Sequence, residues 1–203
     1  MPIPRDLLTD PNPGNRVARL AREAVVNPIM IGPQGSDPLR AMLGKMNCWN
    51  AATFIAWAAR GINLPHPSLQ NATDAQINAY CHQNTTVFDV VSRDNFPRLF
   101  TNWQQRIVPN AARVATLQSG CFIGFIAEPP QGNNPTPPAP VLRHVMLHTA
   151  QGTGMAAGSN NGCIFPAGGG NWSLVPLNIF FSLPAYRNEH TRMVFTDVIG
   201  QTI

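Results

Sequence analysis

The segment NCWNAATFIAWAARG, residues 47 to 61, carries few polar residues beyond its first turn. Ala, Phe, Ile and Trp fill nearly every face of a helix over this stretch, and a helix that is apolar all round is buried. Asn47 belongs to the residue types that cap helix N-termini, and Gly61 to those that end helices. The segment therefore predicts a buried central helix that starts next to Cys48.

Further helices are predicted on both sides of this one. Apolar residues recur at helical spacing over 15–26, and a short helical stretch, LRAML, covers 39–43. On the C-terminal side, helices are predicted over 73–83 and 92–107, within a helical insert at 66–116. The N-terminal half of the chain is thus predicted to be helical.

The pattern changes to strands after residue 117. GCFIGFIAE (120–128) is strand-like, and 129–140 is a Pro-rich exposed loop. VLRHVMLHTA (141–150) and GTGMAAGSNN (152–161) predict a hairpin of two strands, and the tail contains at least two more. Helices followed by strands predict an α+β fold with an antiparallel sheet.

Length and composition favour one compact domain. The 203 residues fit a single domain over 1–203, with an extended lead-in at 1–13. Apolar residues make up 44%, enough for a core, whereas charged residues make up 12%, against about 25% in a typical soluble domain. The formal charge is +4 but the basic residues are scattered, which disfavours nucleic-acid binding and still suits approach to an anionic polymer such as cell wall.

The chain shows no membrane or targeting segment. MPIPRDLLTDPNPGNR lacks the hydrophobic stretch of a signal peptide, and no segment approaches the roughly 18 apolar residues of a membrane span. We therefore expect no membrane insertion, and any export is expected to proceed without a cleaved leader.

The four cysteines are widely spaced and form no C-x-x-C pair, which disfavours a structural zinc site. No metal or cofactor is expected. If one cysteine is a working thiol, three remain, and one bridge among them is left open. The four are Cys48, Cys81, Cys121 and Cys163.

Cys48 becomes a candidate nucleophile when it is considered together with a distant histidine. The backbone N–H groups and the dipole of a helix N-terminus favour a thiolate and can stabilise an oxyanion. Taken alone, the helix start fits a buried filler cysteine better. However, RHVMLHTAQGTGMAAGSNNG (143–162) places His144 on one predicted strand and Asn160 and Asn161 at the end of the next. A base and an orienting amide thus follow the cysteine in the order that a cysteine triad needs.

These stretches resemble known enzymes. NCWNAATFIAWAARGINLP is similar to the nucleophile helix of papain-fold cysteine peptidases, particularly the NlpC-type amidases of bacterial cell-wall turnover. SGCFIGFIA resembles the first core strand of that family, and the 143–162 stretch resembles its His-Val hairpin. The resemblance implies a papain-like or NlpC-like fold in which Cys48 is the nucleophile, His144 the general base and Asn160 the orienter, with Asn161 as the alternative.

The surroundings of Cys48 depart from the family pattern. Trp49-Asn50 replaces the usual Ser-Gly, which indicates a rebuilt substrate site. We predict that Trp49, Asn50, His148 and Trp172 bind substrate. His148 is expected to share a face with His144, about 13 Å further along the strand, and a purely structural role for it stays open.

Cys121 is the rival nucleophile. LQSGC faintly resembles the Ser-Gly-Cys element of toxin-type glutamine deamidases, whose base is also a strand histidine. A buried strand cysteine is the favoured interpretation of Cys121, because the rival assignment leaves the Cys48 helix unexplained.

The family resemblance implies a cysteine amidase or endopeptidase that cleaves peptidoglycan stem peptides. We expect a bacterial toxin, a secreted antibacterial effector delivered by a specialised secretion system to the periplasm or cytoplasm of a target cell. An immunity protein or a secretion chaperone is the expected partner besides the substrate. The alternatives are a protease or glutamine deamidase acting on a host or rival protein, and an inactive binding protein of the same fold.

Overall fold

The structure is a computed structural model, and it describes residues 5–26, 29–31, 37–46, 48–61, 110–127, 141–159, 172–183 and 191–196. Within them the chain is α+β, with a five-stranded antiparallel sheet and a few helices. The predicted fold class is confirmed at this level. The predicted helices at 73–83 and 92–107 and the loop at 129–140 lie outside the described residues.

Four of the five α-helices in the described residues precede the main sheet in the sequence, and the fifth lies between its last two strands. The five helices are α1 (Pro13–Val26), α2 (Leu39–Lys45), α3 (Cys48–Ala58), α4 (Ala111–Ala115) and α5 (Leu177–Ser182), and a 3-10 helix covers Arg5–Leu8. The predictions for α1, α2 and α3 are confirmed, whereas α5 was not predicted.

The strands form two antiparallel sheets. β1 (Met30–Ile31) pairs with β2 (Asp37–Pro38). The main sheet has the order β6-β5-β4-β3-β7, and the predicted hairpin is its β4–β5 unit. Its strands are β3 (Phe122–Ala127), β4 (Val141–His148), β5 (Met155–Ser159), β6 (Trp172–Pro176) and β7 (Thr191–Thr196).

The start of the chain differs from the predicted extended lead-in. Residues 5–8 form a 3-10 helix, and α1 begins at Pro13. The side-chain oxygen of Asn12 accepts hydrogen bonds from the N–H groups of Gly14 (2.8 Å) and Asn15 (3.3 Å). Asn12 is thus the N-cap, and proline is favoured in the first helical position because it has no N–H to satisfy.

Residues on successive positions of each strand pack on opposite faces of the main sheet. The first face packs against α1, α2 and α3, and the second face packs against α4 and α5 and the turn after α4. On the first face lie Phe122, Ile126, Val145, Leu147, Ala157, Trp172 and Val194. On the second face lie Ile123, Phe125, Met146, Ala156, Val175 and Met193.

Helix α3 is the centre of the core on the first face. Every residue from Ala51 to Ala59 is buried, which confirms the prediction of a buried helix. The helix ends one residue earlier than expected, because Arg60, with φ 57°, takes the left-handed position that Gly61 was predicted to hold. Arg60 N–H donates to Trp57 O and Gly61 N–H to Ala56 O, both at 2.8 Å, the pattern of a Schellman motif.

The β4–β5 hairpin is paired only near its turn. Backbone pairing between these strands covers Leu147↔Ala157 and His148↔Ala156, although both strands continue beyond these pairs. We call the half in which the described residues of β4 and β5 do not pair with each other, including Val145 and Ser159, the open end. The half formed by residues 118–121 and 148–155 is the turn end.

Candidate active site

Cys48 is the first residue of α3 and is partly exposed, in contrast to the buried residues that follow it. It is a thiol rather than half of a disulfide. The N–H groups of a helix's first turn have no acceptor within the helix, and the macrodipole is positive there. The site therefore has the two features, access and a favourable field, that make a cysteine reactive.

The chain just before Cys48 is attached to the sheet at the open end. The Ser159 hydroxyl, at the end of β5, donates a 3.0 Å hydrogen bond to the carbonyl oxygen of Met46. Both residues are buried. The sequence pattern did not single out Ser159, because a serine in GSNN carries no signal that its hydroxyl reaches a residue 113 positions earlier.

His144 lies on β4 with its ring on the second face of the sheet. The ring is 2% exposed and stacks on Phe125, with centroids 6.3 Å apart and an interplanar angle of 25°. The neighbouring Val145 packs on the first face, beneath the helices. The ring of His144 is thus on the face of the sheet opposite to the one against which α3 packs.

The phase of β4 explains this placement. Val145 and Leu147 are the apolar residues that fill the interface with α3, so the alternation sends His144, Met146 and His148 to the other face. The shared face of the two histidines is as predicted. A register shift between Phe125 and Ile126 leaves Arg143 as an extra residue in β4, directly before His144.

The ring of His148 contacts backbone carbonyl groups through both of its nitrogens. It is fully buried, and its Nδ1 lies 3.0 Å from Gln118 O and its Nε2 2.9 Å from Thr153 O. These contacts give His148 a structural role at this position, and its predicted contact with substrate stays a prediction.

The structure brings His148 opposite Cys121 in the β3–β4 pairing, where His148 N–H donates to Cys121 O at 2.9 Å. The backbones of a cysteine and a histidine are therefore adjacent here, as the rival assignment of Cys121 as nucleophile requires. However, Cys121 is 3% exposed and the ring nitrogens of His148 are occupied. The placement agrees with the interpretation of Cys121 as a buried strand cysteine.

Trp172 and Trp49 are core residues. Trp172 is fully buried, and its indole N–H donates to Ala21 O in α1 at 2.7 Å. Its carbonyl oxygen accepts a 3.0 Å hydrogen bond from Arg40 Nε in α2. Trp49 is 5% exposed and packs on Phe122, with ring centroids 5.6 Å apart. Both rings fill the space between helices and sheet, and their predicted substrate contacts stay predictions.

The remaining predicted residues lie wholly or partly outside the description. Asn160 and Asn161 are outside the described residues, so the orienter stays a prediction. Asn50 lies in the first turn of α3 by its backbone, and its side chain is outside the described part. Cys81 and Cys163 are also outside it.

Two searches of the described residues bear on other kinds of site. No group of three or more His, Cys, Asp or Glu side chains there is placed to hold a metal ion. No helix among them is long and apolar enough to cross a membrane.

Comparison with known proteins finds no family model, no curated protein and no solved structure that matches this chain. The functional interpretation therefore depends on the residues and the geometry of the chain itself.

Proposed function

We propose that the protein is a cysteine hydrolase of papain-like fold, an amidase or peptidase with Cys48 as its nucleophile. One observation carries the proposal: a partly exposed thiol occupies the first position of an 11-residue helix whose following residues are buried. A rigid, buried helix keeps its N-terminal N–H groups and its dipole in a constant direction, which electrostatic catalysis requires.

The reaction follows from the chemistry of a thiolate at this position. Cys48 gives its proton to the general base, and its thiolate attacks the carbonyl carbon of an amide. The N–H groups of the first helical turn stabilise the oxyanion. The amine leaves with a proton from the general base, and a thioester forms on Cys48. Water, deprotonated by the same base, attacks the thioester and releases the acid and the thiol.

His144 is the proposed base, with Asn160 as its orienter. Their support is the order of residues along the chain and the family resemblance. The described ring of His144 is on the second face, so the proposal requires a change in β4. Because the extra residue Arg143 directly precedes His144, moving this bulge by one position would turn His144 toward the first face.

The proposed substrate is a peptidoglycan stem peptide, and the proposed role is that of a secreted antibacterial effector acting in a target cell. The resemblance of the Cys48 helix and the His144 hairpin to NlpC-type amidases supports this choice. The formal charge of +4 is compatible with approach to an anionic cell wall. An immunity protein or secretion chaperone is the proposed partner.

The nucleophile is tested by comparing wild type with Cys48→Ala and Cys121→Ala on soluble peptidoglycan fragments and on an unfolded protein substrate. Peptide release detected by mass spectrometry should disappear in Cys48→Ala and persist in Cys121→Ala. Activity retained by Cys48→Ala would overturn the proposal. Cleavage of the protein alone would retain the chemistry and move the substrate to the protease alternative.

Two further experiments test the general base and the cell compartment in which the protein acts. His144→Ala is expected to lose activity, while His148→Ala serves as the comparison histidine, assayed only where circular dichroism shows a folded protein. Expression in sensitive cells, directed to the periplasm or to the cytoplasm, should cause lysis only with an intact Cys48. Lysis by Cys48→Ala would contradict the proposed mechanism.

A further inference from the structure

We infer that Ser159 is a positioning residue for Cys48: its hydroxyl bond to the Met46 carbonyl sets where the first turn of α3 lies on the sheet. This inference rests on the proposed function and deepens it. Ser159 is 3% exposed, and its Oγ–O distance to Met46 is 3.0 Å. The acceptor is two residues before Cys48.

The Met46 carbonyl lies at the junction of two helices. Met46 N–H donates to Leu43 O at 3.2 Å, which ends the α2 segment. Since α3 begins at Cys48, Met46 lies two residues before the start of the helix. The Ser159 hydroxyl donates a hydrogen bond to this carbonyl oxygen.

Ser159 belongs to the firmly attached half of the sheet. It pairs with Trp172 on β6, and Trp172 is bonded to α1 through Ala21 O and to α2 through Arg40. On its other side, β5 is not paired with β4 at this level. The start of α3 is therefore attached to β5 through Ser159, while the helix also packs on Val145 and Leu147 of β4.

This attachment fixes the direction of the N–H groups that act on the Cys48 thiol. Without the Ser159 hydroxyl, the Met46 carbonyl loses its partner and the junction is expected to shift or fluctuate. A displaced first turn holds the thiolate less well, because the dipole effect falls off within one turn. The expected result is a less reactive Cys48 in a protein that still folds.

The test measures the alkylation rate of Cys48 by iodoacetamide from pH 5 to 9 in the full chain, with the Cys48 peptide resolved by mass spectrometry. Ser159→Ala should lower the rate at pH 7 about fivefold and move the midpoint of the profile upward, the size expected for one hydrogen bond. Ser159→Thr, which keeps the hydroxyl, should stay within about twofold of wild type.

Thr149→Val is the matched control, because Thr149 Oγ1 also donates from a buried hydroxyl to a backbone carbonyl, that of Met155 at 3.1 Å, but at the turn end. It should leave the Cys48 profile unchanged. A Ser159→Ala profile equal to wild type, or an equal shift in Thr149→Val, would overturn the positioning role.

The outcomes separate this inference from the proposed function. The hydrolase proposal is defeated if the alkylation profile of wild-type Cys48 has the midpoint of an ordinary thiol, about 8.5, and Cys48→Ala is active. A low wild-type midpoint that Ser159→Ala leaves in place defeats only the role of Ser159. Should Ser159→Ala fail to fold, Ser159→Cys, a weaker donor, replaces it, and an unchanged profile there overturns the inference.

Discussion

The two ends of the β4–β5 hairpin are held in different ways. At the turn end, the His148 ring contacts two carbonyl groups, Gly152 N–H donates to Ala115 O at 2.9 Å, and Gln151 N–H donates to Ser119 Oγ at 3.0 Å. At the open end, the described residues of β4 and β5 do not pair with each other, although β4 pairs with β3 and β5 with β6, and the Ser159 hydroxyl donates to the Met46 carbonyl. The partly exposed Cys48 follows that contact in the chain.

This difference suggests that stability and reactivity are located at opposite ends of the same hairpin. The turn end joins α1, α4 and the strands through many short-range contacts, and such regions resist local unfolding. At the open end, the described residues of β4 and β5 share no backbone pairs, so this end is expected to open locally more easily. Substitutions at the turn end should therefore unfold the protein, and those at the open end should change the thiol.

The largest effect is expected at Gly120, where α1 meets the turn before β3. Gly120 has φ +82°, and a Cβ there would lie 2.4 Å from Gly14 O. Gly120→Ala combines a left-handed conformation with a backbone clash, so we expect a loss of about 4 kcal/mol in the free energy of unfolding, measured by urea denaturation.

Gly152→Ala is the matched control for Gly120→Ala. Gly152 has φ +83°, and no atom lies within 4 Å of its ideal Cβ. Gly152→Ala should therefore lower the free energy of unfolding only by the cost of holding alanine in a left-handed conformation, about 1 kcal/mol. Equal losses in the two variants would show that the approach to Gly14 is not a constraint, and would weaken the picture of a tightly held turn end.

The next effect concerns the ring of His148. His148→Leu keeps a side chain of comparable size but removes both contacts to the Gln118 and Thr153 carbonyls, so we expect a loss of about 2 to 3 kcal/mol in unfolding free energy. Thr149→Val, which removes one hydroxyl contact beside it, should cost about 1 kcal/mol. A His148→Leu protein as stable as wild type would show that the ring contacts of His148 do not stabilise the turn end. The contrast between the two ends of the hairpin would then lose its main support.

A smaller effect is expected at Arg16, which joins α1 to the end of α3. Its Nε donates to Ala59 O at 3.0 Å and its Nη2 to Arg60 O at 2.9 Å, while Nη1 contacts the Asp10 and Pro11 carbonyls. Arg16→Lys keeps the charge but loses the guanidinium group that donates to several carbonyls at once. We therefore expect a loss of about 1 to 2 kcal/mol in the free energy of unfolding, measured by thermal unfolding.

Arg19→Ala is the comparison for Arg16→Lys. Arg19 pairs at 3.3 Å with Asp6, and both side chains are exposed. Its loss should be below about 0.5 kcal/mol. Arg19→Ala matching Arg16→Lys would mean that the carbonyl contacts at the end of α3 add nothing beyond surface charge.

The smallest effect is a gain in stability at Arg60. Its positive φ suits glycine, so Arg60→Gly should raise the free energy of unfolding by about 0.5 to 1 kcal/mol. Because Arg60 is at the far end of α3, the alkylation profile of Cys48 should not change. A loss of stability would show that the Arg60 side chain itself contributes to the cap.

Several elements could be predicted because their signals are local. The all-apolar faces of residues 51–59 predict a buried helix wherever it packs, and alternating residues in VLRHVMLH predict a strand with His144 and His148 on one face. The ends of α1 and α3 were predicted less well. Helix α1 begins at Pro13, two residues before the predicted start, because Asn12 caps it. At the end of α3, Arg60 takes the left-handed position that residue preferences assign to Gly61.

The candidate site could be predicted only in part. Period-two alternation says that His144 shares a face with His148, but not which face packs against α3. Trp172 resembled a cleft residue because it follows a glycine-rich stretch, and only its contacts with Ala21 and Arg40 show that it is a core residue. Ser159 gave no signal, because its partner is distant in sequence.

The sequence by itself determined α1, α2, α3 and the β4–β5 hairpin, with Cys48 at a helix start, since these follow from periodicity and composition within a few residues. The tertiary structure decided which side of the sheet His144 faces, that Cys121 is opposite His148, and that Ser159 holds the chain before Cys48. These features depend on strand register, the bulge at Arg143 and the choice of packing face. All three are set by long-range contacts that no local pattern records.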